Sequence, residues 1–178
     1  MSGALYVLDT SVFIQAHRLQ YPFDVVPAFW DALIDCAHSN LLASLDVVDR
    51  ELSGNDDLSQ WARAHKRDLF RSTDTPDVTE AYRRVIAWVE HNSQYVEAAK
   101  SAFASGADGW ITAFAMAHGH TVVTQEVASP ASRTNVKIPD VCAAMNVTCV
   151  NSVQMMRRVG VRLNGFTISA ASEGPPIP

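Results

Sequence analysis

Cysteine is scarce in this chain, and its three copies, Cys36, Cys142 and Cys149, form an odd set with no C-x-x-C pair. That argues against a disulfide framework and a cysteine zinc site, and for a reducing compartment. No apolar stretch approaches the roughly 18 residues of a membrane span, so no membrane association is expected. No basic segment precedes an early apolar run, and Asp9 interrupts the only such run. A signal peptide is therefore not expected, and the expected location is cytoplasmic. Positive charge is in deficit too, with 14 lysines and arginines against 19 acids and a formal net charge of −5. A protein that grips nucleic acid through a broad basic surface shows the opposite balance, so any nucleic-acid contact here has to use a local patch. Missing as well are G-x-x-x-x-G-K-[ST], G-x-G-x-x-G, H-E-x-x-H and G-x-S-x-G.

What is present is a chain of 178 residues, 48% of them apolar, enough for one domain with a substantial core. Residues 1–160 are expected to form that domain. Residues 161–178 turn to Gly, Ser, Ala and Pro, the composition of a disordered or loosely attached tail.

The organising stretch is Leu5-Tyr6-Val7-Leu8-Asp9-Thr10-Ser11. A short continuous apolar run suits a strand buried on both faces of a parallel sheet, and Asp9 then falls at its carboxyl end, where open α/β folds bind ligands. Val12 to Arg18 reads as a helix, and Pro27 as the first position of another carrying Phe29, Trp30, Leu33, Ile34 and Ala37 inward. Leu41 to Leu45 reads as the second strand, with Asp46 capping a helix that bears Val47, Val48, Glu51 and Leu52 on one face. Glu51 on that apolar side either pairs with a core arginine or faces a cation. Leu58 to Phe70, then Thr75-Pro76 onward, then Tyr95 to Phe103 read as helices. Asp108 opens a further helix that Gly119 stops, and such an Asp is often only a capping or dipole residue. Thr121 to Thr124 reads as a strand delivering Glu126 just past its end. Asp140 is expected to cap a short helix, Val147 to Val150 to be the last strand, and Asn151-Ser152 to open the last helix.

Asp9, Glu51, Asp108 and Glu126 are thus expected at one edge of a parallel sheet. Four converging carboxylates repel one another, and a divalent cation relieves this; all-oxygen ligands suit Mg²⁺ or Mn²⁺. Such ions serve phosphodiester hydrolysis. Thr10, Ser11 and Thr124 are placed to orient a ligand or water. His17, Arg18, Arg133 and Lys137 are candidates for substrate phosphates, though each alone is more ordinarily a solvated surface residue. A haloacid-dehalogenase-like phosphatase also places an Asp after its first strand, but needs a second Asp where Ser11 stands.

In order, Tyr6-Val7-Leu8-Asp9-Thr10-Ser11, Val47-Val48-Asp49-Arg50-Glu51-Leu52, Ala107-Asp108-Gly109-Trp110-Ile111-Thr112-Ala113 and Val122-Val123-Thr124-Gln125-Glu126 resemble the PIN domain. Tyr6 to Arg18 and Lys137-Ile138-Pro139-Asp140-Val141-Cys142 are similar to a PIN-like group of prokaryotic proteins of unassigned function. The resemblance covers residues 4–158. It implies a three-layer α/β/α sandwich with a mostly parallel sheet. The long helical middle from Leu58 to Phe103 departs from the smallest members of the family, and is expected to be an insertion that clamps RNA or forms the antitoxin surface. It implies a Mg²⁺- or Mn²⁺-dependent endoribonuclease, the toxin of a toxin–antitoxin pair like the VapC-type toxins, and a homodimer. The family's acids fall on Asp9, Glu51 and Asp108, with Glu126 where the family usually has Asp, reaching a metal directly or through water. The alternative is a PIN-like module that binds RNA or protein without cutting.

Overall fold

The computed structural model describes residues 4–163. Five strands form one all-parallel sheet: β1 (Tyr6–Leu8), β2 (Leu42–Leu45), β3 (Phe70–Arg71), β4 (Thr121–Val123) and β5 (Cys149–Val150), in the spatial order β3-β2-β1-β4-β5. The α/β sandwich expected from the sequence is the observed fold. β1 lies in the middle because Val7 and Leu8 are wholly buried, with helices covering both faces. Its register pairs Val7 with Ala43 on one side and with Val122 on the other. From β1 the chain first builds outward through β2 to β3, then returns to place β4 on the opposite side. The β1/β4 boundary is therefore the point where strand order reverses, the place where open α/β sheets bind ligands.

Helices follow in chain order: α1 (Thr10–Gln15), continued by a π-helical turn over Ala16–Gln20, α2 (Pro27–His38), α3 (Asp46–Glu51), α4 (Asp57–Ala64) and α5 (Lys66–Leu69). Then come α6 (Pro76–His91), α7 (Glu97–Ser105), α8 (Asp108–His118), α9 (Ile138–Ala144) and α10 (Ser152–Val159). α2 and α5 pack against β2, α8 against β1 and β4, and α9 against β5. α6 and α7 pack on α8 outside the sheet, around a second cluster that includes Val85, Val89, Phe103 and Val141. Close approach there depends on Gly109, where a Cβ would stand 3.0 Å from Tyr82 Cε2 and 3.3 Å from Ile86 Cδ1. Tyr82 and Trp110 stack beside it with ring centroids 3.8 Å apart.

The expected helix ends hold at Gly119, whose left-handed backbone (φ 67°) closes α8. They hold also at Asn151, which forms a capping box with Gln154. Other details differ. Leu58 to Phe70 is not one helix: it breaks at His65, and Phe70 leaves it to pair with Ser44 as β3. Neither Asp46 nor Asp140 caps its helix; Leu45 and Lys137 take those positions. Asp46 instead accepts from the Thr73 N–H and hydroxyl, and Asp140 from the Ser129 N–H. These long-range donors outcompete the local cap. The helix expected over Val12 to Arg18 starts two residues earlier and widens into the π-helical turn. Among the described residues no helix is long and apolar enough to cross a membrane, and all three cysteines are free. The expected tail lies almost wholly outside the described residues; its first part, Val161, donates its N–H to Met156 O.

Candidate metal centre

Asp9 follows β1 directly and is 3% exposed, so its carboxylate needs local partners. Two hydroxyls provide them, Ser11 Oγ donating to Asp9 Oδ2 at 2.5 Å and Thr124 Oγ1 donating to the same oxygen at 2.8 Å. Each hydroxyl in turn accepts a backbone N–H from the segment leaving β4: Gln125 N–H reaches Ser11 Oγ at 3.0 Å and Glu126 N–H reaches Thr124 Oγ1 at 3.1 Å. Two amide donors are thereby relayed onto one carboxylate, and the exits of β1 and β4 are locked together. Burial pushes the Asp9 carboxyl above the usual range, the bonds from Ser11 and Thr124 pull it back, and the Glu126 charge pushes it up again.

Asp108 opens α8 over the same edge. Its carboxylate makes no hydrogen bond among the described residues, and its proton affinity is pushed up to about 7. Burial is the largest cause, followed by the charges of Asp9, Glu126 and Glu51; Lys137 pulls the other way.

The two glutamates are held differently. Glu51 is the last residue of α3, and its side chain is anchored at both oxygens: Oε1 accepts the Ala107 N–H at 2.8 Å, and Oε2 accepts the Thr10 hydroxyl. The end of α3 is thus tied to the start of α8, with Thr10 as the third corner. Glu126 accepts from Lys137 Nζ at 2.7 Å on Oε1 and from the Ile138 N–H at 2.8 Å on Oε2, so it fastens the β4 exit to the start of α9. That hydrogen bond is the main reason the Lys137 ammonium holds its proton more tightly than usual, with the charges of Glu126, Asp108 and Asp140 adding to it.

The charges of the other three acids expected from the sequence, Asp9, Glu126 and Glu51, thus all bear on Asp108. Among the described residues, however, no three or more His, Cys, Asp or Glu side chains form a group that can hold a metal ion. Thr10 and Thr124 both touch the acids, and so does Ser11. Of the basic candidates, Lys137 alone makes a bond to the cluster. Arg18 is exposed and lines a depression with Glu51, Asn55 and Asp56. His17 packs its ring on Phe23 at 5.1 Å. Arg133 is exposed on the loop before α9, where its carbonyl accepts the Val96 N–H. Sequence reasoning did not single out Gln125, whose side chain donates to Ser152 Oγ and Gln20 Oε1 and so braces the β4 exit. Nor did it find the Ala107 and Ile138 amides, because a backbone donor has no residue-type signature.

Fold and site together define an α/β/α domain with a carboxylate cluster at the switch point of a parallel sheet. Residues 6–163 match the family described as a domain of unknown function, DUF4411, and the chain belongs to that family. No curated protein matches the chain, and no solved structure does.

Proposed function

We propose that this protein is a Mg²⁺- or Mn²⁺-dependent endoribonuclease of the PIN type. One observation carries the reading: Asp108, without a hydrogen bond on its carboxylate among the described residues, lies in the combined charge of Asp9, Glu126 and Glu51 at the switch point. Such crowding is costly unless a cation shares the space. The donors fit a hard cation, since every side-chain oxygen in the cluster belongs to a carboxylate or a hydroxyl. Mg²⁺ typically takes one or two carboxylates and completes its shell with water and phosphate oxygens. Asp9 and Asp108 would hold the ion directly, which is compatible with the absence of a three-residue cage among the described residues. Glu51 and Glu126 would act through water. When bound, the ion would activate a water and stabilise charge on the phosphate.

The chain's own part is positioning. Ser11 and Thr124 fix the Asp9 carboxylate, and their backbone donors keep those hydroxyls from rotating away. A cation would take the place of the Asp108 proton, so metal uptake would strengthen as pH rises through about 7. RNA as the substrate, a cognate antitoxin and a homodimer are supported by the resemblance to PIN domains. The reading of a non-cutting module is favoured by one observation, the Lys137 ammonium seated on the fourth acid. Cleavage of a mixed RNA pool in Mn²⁺ separates the two: wild type degrades it and Asp9→Asn does not. RNA bound but left intact by wild type would select the module.

A further inference from the structure

α9 closes in a way that brings two thiols together. Asn146 takes a left-handed backbone (φ 56°), its N–H reaches Ala143 O at 3.4 Å, and the Val147 N–H reaches Cys142 O at 2.8 Å. This paired closure turns the chain sharply at the helix end and feeds it into β5, whose first residue is Cys149. The Cys142 thiol there donates a hydrogen bond to the Cys149 sulfur. Both cysteines are free. Their surroundings differ. Cys142 is wholly buried, its sulfur 3.9 Å from the Thr112 hydroxyl. Cys149 is partly exposed and lines a surface depression with Thr124, Glu126, Val127 and Asn151. A small solute can therefore reach Cys149 and not Cys142.

We infer that Cys149 and Cys142 form a reversible thiol–disulfide site, in which Cys149 meets a peroxide and Cys142 resolves it. The pair takes no part in the proposed metal centre. Thiolate is the reacting form of cysteine, and the contact favours it at the exposed position. The bond from Cys142 holds the Cys149 thiol below its usual value, against burial and the charges of Asp9 and Glu126. The same bond, with burial, pushes the Cys142 thiol up. In the first step an S–O bond forms on Cys149 as the O–O bond of hydrogen peroxide breaks; the departing hydroxide takes up the proton lost from the Cys149 thiol and leaves as water. Once Cys149 carries oxygen, the bond that held the Cys142 proton is gone. The Cys142 sulfur then attacks, the S–S bond forms, and the S–O bond breaks; its hydroxyl leaves with the Cys142 proton as a second water. Two thiols are oxidised and one peroxide is reduced. A dithiol reverses the bond by exchange. Formed, the bond joins β5 to α9, the helix whose first N–H is held by Glu126. In a reducing compartment such bonds are transient and report on oxidants.

The test treats the folded full chain with stoichiometric hydrogen peroxide, then alkylates it in denaturant and maps the labels by mass spectrometry after trypsin. Cys142 and Cys149 lie in one tryptic peptide, Ile138 to Arg157, and Cys36 lies in another. Untreated protein is expected to carry a label on all three cysteines. Treated protein is expected to carry one on Cys36 alone, with the Ile138 to Arg157 peptide unlabelled and lighter by two hydrogen atoms. Dithiothreitol should restore both lost labels. Cys142→Ser should instead trap a sulfenic acid on Cys149 that reacts with dimedone, and Cys149→Ser should keep the Cys142 label. Labels on all three cysteines of treated wild type would overturn the inference. So would a bond to Cys36 or to a second chain, a loss that dithiothreitol does not reverse, or a Cys142 label lost from Cys149→Ser. Should either serine variant fail to fold, the wild-type peptide decides alone.

Discussion

Asp9 and Asp108 lie against the carboxyl ends of β1 and β4, whereas Glu51 and Glu126 stand further out, each fastened to the start of a helix. The contrast is one of obligations. Each glutamate satisfies a backbone N–H, at Ala107 or Ile138, and so has a structural role in the absence of any ligand. The aspartates are more buried and less well served: Asp9 leans on two hydroxyls, and Asp108 has no hydrogen bond on its carboxylate among the described residues. Identical charges at one edge thus divide into a pair that holds the fold and a pair that burdens it. A burden retained at a switch point is what the proposed metal centre accounts for.

Asp108→Asn should break the contrast most strongly. A carboxyl raised to about 7 in the folded chain, against an ordinary 3.8, binds its proton more tightly folded than unfolded. Stability from this group is therefore greatest below about pH 4 and is lost as pH rises to about 7, since the unfolded chain binds fewer protons across that window. The loss is at most about 4 kcal/mol at 1.36 kcal/mol per pH unit. In metal-free buffer the variant should be more stable than wild type at pH 8, with the advantage shrinking toward pH 4. Urea unfolding across that range measures it. Equal pH slopes in the two proteins would contradict the assignment.

Thr124→Val comes next. It removes a hydroxyl that donates to Asp9 and accepts from Glu126, leaving both groups short of a partner, at a cost of about 1–3 kcal/mol in unfolding free energy, measured in urea. Glu51→Gln should be the mildest, because an amide oxygen still accepts the Ala107 N–H and the position is exposed. A change within about 0.5 kcal/mol is expected. Were Glu51→Gln to cost as much as Thr124→Val, the division between the two pairs would not hold.

Much of this arrangement was legible in the residues, for reasons that can be stated. β1 and β4 announced themselves as short apolar runs because both faces are covered, and the acids just past them had to fall at the ligand edge. β3 escaped notice: two residues long, it ends a segment whose apolar spacing is helical. Asp46 and Asp140 sit where caps are expected, yet their partners, Thr73 and Ser129, are 27 and 11 residues away and arrive only through tertiary folding. The Lys137–Glu126 pair was hidden for the same reason: spacing told of two charged residues, not of one bond.

Thermal unfolding of wild type and Asp9→Asn with increasing Mn²⁺ decides whether this edge is a metal centre. A ligand bound only to the folded chain adds about 2.7 kcal/mol at a hundredfold excess over its dissociation constant. A centre built on Asp9 and Asp108 predicts a rising melting temperature for wild type and a flat one for the variant. A flat wild-type response, or an equal rise in both, would contradict it.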